Sequence, residues 1–207
     1  AVVMDIENGD VLSLASVPSY DPNLFNIGLT VKQWNDLIND PLHPLTNKAI
    51  AGMYAPGSTF KMVVAMAALK AGISPDHKVF CPGHMTLGRS RFHCWKRGGH
   101  GWVDMHEAIQ HSCDVYFYDV SRKIGIDNIA AMANQFGLGN KVGIDLNGEK
   151  GGTIPTRDWK LANIGEAWQG GETLVASIGQ GFVLSTPLQL ATMAARIASG
   201  KQVTPRL

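Results

Sequence analysis

The stretch from Ser58 to Gly72 constrains the fold more than any other. After Ser58-Thr59-Phe60-Lys61 it runs through Met62, Val63, Val64, Met66 and Leu69, apolar on nearly every side, and glycine closes it. A helix with no polar face cannot lie on a surface, so this one belongs in the interior, wrapped by other elements. The rest of the chain can supply that wrapping: of 207 residues, 45% are apolar and 17% charged, which suits one globular domain or most of one and excludes disorder. Lys plus Arg total 18 against 17 for Asp plus Glu, a formal charge of +1. No excess of one sign advertises an anionic partner, and no nucleic acid is expected. The apolar run from Met62 to Leu69 is bounded by Lys61 and Lys70 and cannot span a bilayer, so any membrane anchor is expected outside residues 1–207. Ala1-Val2-Val3-Met4-Asp5 begins inside what reads as a strand, as expected of a piece cut from something longer.

Turn and cap signals divide the remainder. Val2, Val3 and Ile6, then Val11, Leu12 and Leu14, flank Glu7-Asn8-Gly9-Asp10, which predicts an antiparallel ribbon. Pro18, Pro22, Asn23 and Gly28 mark a surface loop, and Thr30 with Gln33 forms a capping box opening a short helix to about Asn39, ended by Pro41 and Pro44. Residues Pro75 to Gly101, rich in Gly, Arg, His and Cys without a sustained period, read as an irregular insertion that needs something to hold it. Asp104 with Glu107 caps a helix to about Gln110, a second runs from Asp114 to Ile124 before Gly125, and a third starts at Asp127 and ends near Phe136. Gly148 to Pro155 is a turn-rich connection, Thr156 caps a short helix through Trp159, and Pro187 opens the last one, to Ser199. No internal repeat or low-complexity tract is present.

Ser58 and Lys61 stand three residues apart, so hydroxyl and amine lie on one face of the buried helix. Burial and the positive end of the helix dipole both disfavour an ammonium there, which would let Lys61 act as a general base toward Ser58, while the first-turn amides favour negative charge and suit an oxyanion hole. Taken alone, Ser-x-x-Lys is better explained as an N-cap followed by a solvated lysine. Ser112-Cys113-Asp114 changes that balance, because it lies at the junction of two helices, where a loop can present two polar side chains to a cleft, although simple capping remains its ordinary explanation.

Ser-x-x-Lys, Ser-Asp-Asn and Lys-Thr-Gly form the signature of β-lactamases and penicillin-binding proteins. Tyr54-Ala55-Pro56-Gly57-Ser58-Thr59-Phe60-Lys61, Gly98-Gly99-His100-Gly101, Ser112-Cys113-Asp114-Val115-Tyr116-Phe117-Tyr118 and Ile178-Gly179-Gln180-Gly181 resemble the penicillin-binding protein 2 family, the elongation transpeptidases, and the likeness runs from the Asn8-Gly9 hairpin to Thr186-Pro187. The resemblance implies an α/β (α+β) penicillin-recognising serine transferase fold, with a helical subdomain complete here and an incomplete antiparallel sheet. It implies a D,D-transpeptidase that cross-links peptidoglycan stem peptides: Ser58 attacks the penultimate D-alanine carbonyl, Lys61 takes its proton and Ser112 relays a proton toward the leaving group. Asp114 stands where relatives often carry asparagine, and its role in orienting lysine or substrate is left open. The implied partners are stem peptides, β-lactam antibiotics, a membrane glycosyltransferase and elongation-complex proteins, and the implied location is the periplasmic side of an inner membrane. Rival readings are a D,D-carboxypeptidase or β-lactamase, in which water replaces the acceptor amine, a β-lactam sensor acylated once without turnover, and a non-catalytic scaffold.

Three cysteines cannot all pair. Cys81, Cys94, His100 and Cys113 bracket the insertion and end inside the second motif, and three thiolates with one imidazole make a tetrahedral set of the structural zinc kind. The spacing lacks the tight Cys-x-x-Cys of a zinc finger; the family likeness supports the set, since some penicillin-binding proteins 2 bind a metal at similar positions. A disulfide or plain buried thiols are the competing readings. His84, His93, His106 and His111 are alternative ligands that read as surface residues, and Asp76 and His77 as loop groups. Trp95, Trp102, Trp159 and Trp168 are candidates to line a substrate groove, but they are assigned no role, because tryptophans commonly pack at the edge of a core. Gln180, between two glycines, is placed either near the cleft or in a simple turn, and Arg89, Arg91, Lys96 and Arg97 on a solvated face.

A third family motif, Lys-Thr-Gly or Lys-Ser-Gly on a strand lining the cleft, does not occur before Leu207; Lys150-Gly151-Gly152 precedes Ile154-Pro155 and matches a different family segment. Residues 1–207 alone are therefore expected to be acylated weakly or not at all. Labelling of Ser58 by a fluorescent penicillin at the rate of a complete domain would contradict this.

Overall fold

The computed structural model describes residues 1–207. The chain divides into two compact units, each assembled from segments distant in sequence. The first comprises residues 1–53, 141–151 and 186–207. It opens with the expected ribbon, β1 (Val2–Met4) antiparallel to β2 (Val11–Leu14) with Val2 opposite Leu14 and a register shift at Met4. Three short helices follow: α1 (Asn23–Ile27), α2 (Val31–Ile38) and α3 (Lys48–Ala51). The capping box at Thr30 and Gln33 forms as read. Ile50, Val142, Ile144 and Leu188 make this unit's core, against which Val2, Val11 and Leu14 pack.

The second unit comprises residues 54–140 and 152–185 and holds every candidate site residue. At its centre is α4 (Lys61–Lys70), with Val63, Val64 and Ala68 fully buried, as its lack of a polar face demands. Helices α5 (Met105–Gln110), α6 (Asp114–Ile124) and α7 (Ile126–Gln135) pack on it. α6 is itself almost wholly interior, burying Val115, Tyr116, Phe117, Tyr118, Val120, Ser121 and Ile124. Its other side packs against α9 (Gly170–Ser177), which follows α8 (Arg157–Ile164). The last helix, α10 (Pro187–Ser199), belongs to the first unit, where it packs on β1 and α3.

The structure departs from the sequence reading at five places. Ser58 lies in a 3-10 turn, Gly57–Phe60, and the α-helix begins only at Lys61. Gly125 rather than Asp127 precedes α7, and α8 continues to Ile164, where Gly165 closes it in the left-handed region. Helix α9 begins with two glycines, poor helix formers that conceal it from propensity, and Gln169 with Glu172 supplies the capping box instead. Residues 75–101 are not irregular. They hold β3 (Val79–Cys81), paired antiparallel with β6 (Gly101–Val103), and a hairpin of β4 (His84–Leu87) and β5 (Ser90–His93). These strands are three or four residues long and interrupted by Gly83, Gly88, Gly98 and Gly99, too short to establish a period of two.

Packing of α7 on α4 buries Ile129 completely, whereas Leu12 on the ribbon is 68% exposed. Ile129→Ala is expected to cost about 2–5 kcal/mol and Leu12→Ala no more than about 0.5 kcal/mol, to be read from urea denaturation midpoints.

Candidate active site

Lys61 is the first residue of α4, and its side chain is only 3% exposed. A buried amine needs acceptors, and three are provided by the loop entering α6. The Lys61 Nζ donates to the Ser112 carbonyl oxygen at 2.8 Å, to Ser112 Oγ at 2.9 Å and to Asp114 Oδ1 at 2.5 Å. The Phe117 ring lies beneath it, 5.7 Å from Nζ to the centroid. The other carboxylate oxygen of Asp114 accepts from the backbone N–H of Trp95 at 2.9 Å. Asp114 therefore bridges the lysine and the loop after β5.

Ser112 is presented by a strained backbone. Its φ of +52° lies in the left-handed region, which costs a side chain with a Cβ about 1–2 kcal/mol. The conformation turns both the carbonyl and the hydroxyl of one residue onto one amine, which an extended backbone would not do. Ser58 shares with Ser112 and Asp114 a cleft of about 580 Å³, also lined by His93, Cys94, Trp95, Tyr118, Ile178 and Gln180. The three hydrogen bonds of the Lys61 amine go to Ser112 and Asp114 rather than to Ser58, so the serine nearest the lysine in sequence is not its hydrogen-bond partner.

The turn carrying Ser58 is anchored on both sides. Tyr54 and Ser185 exchange backbone hydrogen bonds of 2.9 Å, and the Gly57 N–H donates to the Gly179 carbonyl, also at 2.9 Å. This approach is so close that a Cβ on Gly179 would lie 2.2 Å from the Gly57 oxygen. Gly179 is thus required for a backbone contact that carries Gln180 into the cleft wall.

Cys81, Cys94, His100 and Cys113 converge although their spacing is wide: their ligand atoms all lie within 4.8 Å of one another. Cys81 ends β3, Cys94 follows β5, His100 precedes β6 and Cys113 caps α6. A Cβ on Gly99 would lie 2.1 Å from the Cys81 oxygen, so glycine is what lets the turn before β6 come this close to the end of β3. The three cysteines are free and buried. The Cys113 thiol donates toward Cys94 and holds its thiol down to about 5, while the same contact and burial push Cys113 up. The donor geometry fits a tetrahedral metal: bonds of about 2.3 Å to sulfur and about 2.0 Å to nitrogen set S···N edges of about 3.5 Å, and His100 Nδ1 lies 3.6 Å from both Cys81 Sγ and Cys94 Sγ. His100 Nε2 is buried without a hydrogen-bond partner, its ring lying against Trp95 and stacked on His111. Of the alternative ligands, His84 and His93 face each other across the β4–β5 hairpin, and His106 and His111 are exposed. His77 contacts Asp119 and Lys123 instead.

The penicillin binding protein transpeptidase domain matches over residues 1–207. This chain belongs to that family. It is 43% identical to the peptidoglycan D,D-transpeptidase MrdA of Escherichia coli strain K12 over 192 residues, covering 91% of this chain and 30% of that protein. Its fold is similar to Pseudomonas aeruginosa PBP2, solved in complex with WCK 5153, with a TM-score of 0.94, 43% identity, and coverage of 100% of this chain and 46% of the other. It is equally similar in fold to Helicobacter pylori PBP2 solved in complex with MreC, with a TM-score of 0.94, 37% identity and 99% against 39% coverage. The chain therefore spans under half the length of each of these relatives.

Two cleft residues of this transpeptidase domain were assigned no role from the sequence. Tyr118 follows Asp114 by one helical turn on α6, a spacing that was legible. Its hydroxyl donates to the His93 carbonyl at 3.1 Å, and burial, with the Asp114 carboxylate nearby, pushes the phenol up, so that it stays a donor. Trp95, one of the four tryptophans weighed as groove residues and assigned no role, is 64% exposed on the cleft wall.

Asp114→Leu leaves the Lys61 charge buried without its carboxylate, and is expected to cost about 3–5 kcal/mol. Asp114→Asn, which keeps an acceptor for Lys61, is expected to cost less. Denaturant titration of both variants checks the order.

Proposed function

We propose that this chain carries the nucleophile and the proton-transfer groups of a peptidoglycan D,D-transpeptidase. The observation that supports this most is the buried Lys61 amine, held at 2.8 and 2.9 Å by the two oxygens of Ser112 in the cleft that Ser58 lines. Ser58 Oγ attacks the penultimate D-alanine carbonyl of a stem peptide and loses its proton to the lysine–serine pair. That proton passes by Ser112 to the departing D-alanine nitrogen as the C–N bond breaks, leaving an ester on Ser58. An amine of a second stem then attacks the ester, gives up its proton along the same path, and regenerates the serine. A β-lactam follows the first half, its ring C–N bond opening while the leaving nitrogen stays attached, so the ester persists.

Burial alone does not free the lysine to accept a proton. Its three acceptors match the three hydrogens of an ammonium, so acceptance from Ser58 requires a proton to leave first, toward Ser112 Oγ or Asp114. Hydrolytic variants of the reaction need a base for water. Asp114 is the carboxylate in the cleft wall, and its two oxygens are engaged by Lys61 and Trp95, which favours an amine acceptor over water.

Zinc on Cys81, Cys94, His100 and Cys113 completes the reading. With four protein donors it has a structural role, tying the strand pair and the hairpin to the first turn of α6. No helix here is long and apolar enough to cross a membrane. A periplasmic location on an inner-membrane anchor, an MreC-like partner, and a membrane glycosyltransferase follow from kinship with the elongation transpeptidases.

Intact mass and peptide mapping after penicillin treatment of the complete protein should place one adduct on Ser58, lost in Ser58→Ala. Lys61→Met and Ser112→Ala should slow acylation by about a hundredfold or more. An adduct elsewhere, or full-rate acylation of Ser58 in both variants, would sink the mechanism. Elemental analysis should find one zinc per chain. Metal-free protein with freely titratable thiols would remove the zinc assignment and leave the acylation reading standing.

A further inference from the structure

Trp95 makes an unusual set of contacts for an exposed aromatic residue. Its indole has a single donor, and that N–H is shared between the carbonyl oxygens of His111 and Ser112, 3.1 Å from each, rather than given to water. Its backbone N–H donates to Asp114 Oδ2 at 2.9 Å. The ring stands edge-on to His100, with centroids 5.4 Å apart, and the preceding residue is Cys94. Trp95 thus binds the catalytic loop through three acceptors while its own position is set by two residues of the thiol cluster.

The Ser112 carbonyl is the point where these contacts meet the proposed chemistry. It accepts from Lys61 Nζ and from the Trp95 indole, which together occupy both of its lone pairs. Two donors on one carbonyl fix the peptide plane that follows Ser112, and so oppose relaxation of its left-handed backbone toward the conformations a serine prefers. The hydroxyl of Ser112 reaches the lysine only while that backbone holds.

We propose that Trp95 is a positioning residue for acyl transfer: its indole N–H holds Ser112 in the left-handed conformation that sets the serine hydroxyl on the Lys61 amine. The proposal rests on the assignment of Ser58, Lys61 and Ser112 above. It also makes Trp95 the link by which the thiol cluster supports the cleft, since Cys94 and His100 set the ring that sets Ser112.

The test is Trp95→Phe in the complete protein, which keeps an aromatic ring against His100 and deletes the donor. Single-turnover acylation by a fluorescent penicillin over a range of concentrations separates the dissociation constant of the initial complex from the acylation rate constant. Loss of one shared hydrogen bond is expected to lower the rate constant about tenfold, with the dissociation constant, metal content and melting temperature unchanged. Should the phenylalanine variant fold poorly, benzothienylalanine at position 95 retains the indole shape and replaces N–H by sulfur, and the same split applies. Weaker initial binding with an unchanged rate constant would make the ring a stacking surface for ligand and overturn the proposal. Wild-type values for both constants would overturn it too, while leaving Ser58 as nucleophile. A wild-type protein whose Ser58 is not acylated at all would overturn both readings.

Discussion

Lys61 is the residue the second unit is organised around. An ammonium taken out of water loses several kcal/mol of solvation unless acceptors replace the solvent, and α4 has none to offer, being apolar on every other face. The acceptors come from residues 112 and 114, more than fifty positions away, so the amine requires the start of α6 to sit against the start of α4. Two consequences follow. Ser112 is held in a backbone conformation it would not choose, and Asp114 is buried at the N-terminus of α6, where the helix dipole also favours its charge. One interaction thus places both serines and the carboxylate around a single cleft.

The thiol cluster works on the same loop from the other side. Cys113 is the N-cap of α6 and lies between Ser112 and Asp114, so the four gathered donors reach the midpoint of the loop that holds the Lys61 amine. The strand pair and hairpin of residues 79–103 have little core of their own: Phe80, Trp95 and Trp102 are all more than half exposed. Short strands with so few buried side chains are marginal without a tie. Free thiols packed this closely, one of them held in the ionised range by its neighbour, supply the donors for one.

Several elements were legible because their signals are local. The capping boxes at Thr30 and Asp104 and Pro187 at a helix start each act within four residues, and each was found where the sequence put it, whereas the capping box at Thr186 and Gln189 was not read. The strands of residues 79–103 were not legible, because three- and four-residue strands broken by glycines carry no period. Helix α9 was hidden by Gly170 and Gly171; a Cβ on Gly171 would lie only 3.0 Å from the Phe92 ring of the hairpin, a packing constraint that propensity cannot express.

The sequence by itself determined the family, the spacing of Ser58 three residues before Lys61, the second motif at Ser112, and the four candidate metal donors, because these are matters of residue type and order. Tertiary structure alone decided that the lysine's partners are Ser112 and Asp114, that the thiols lie within reach of one ion, and that Trp95 joins the two sites. Those outcomes depend on which buried polar groups find each other across long stretches of chain. That choice is made by the cost of leaving any of them unpaired, and no local pattern records it.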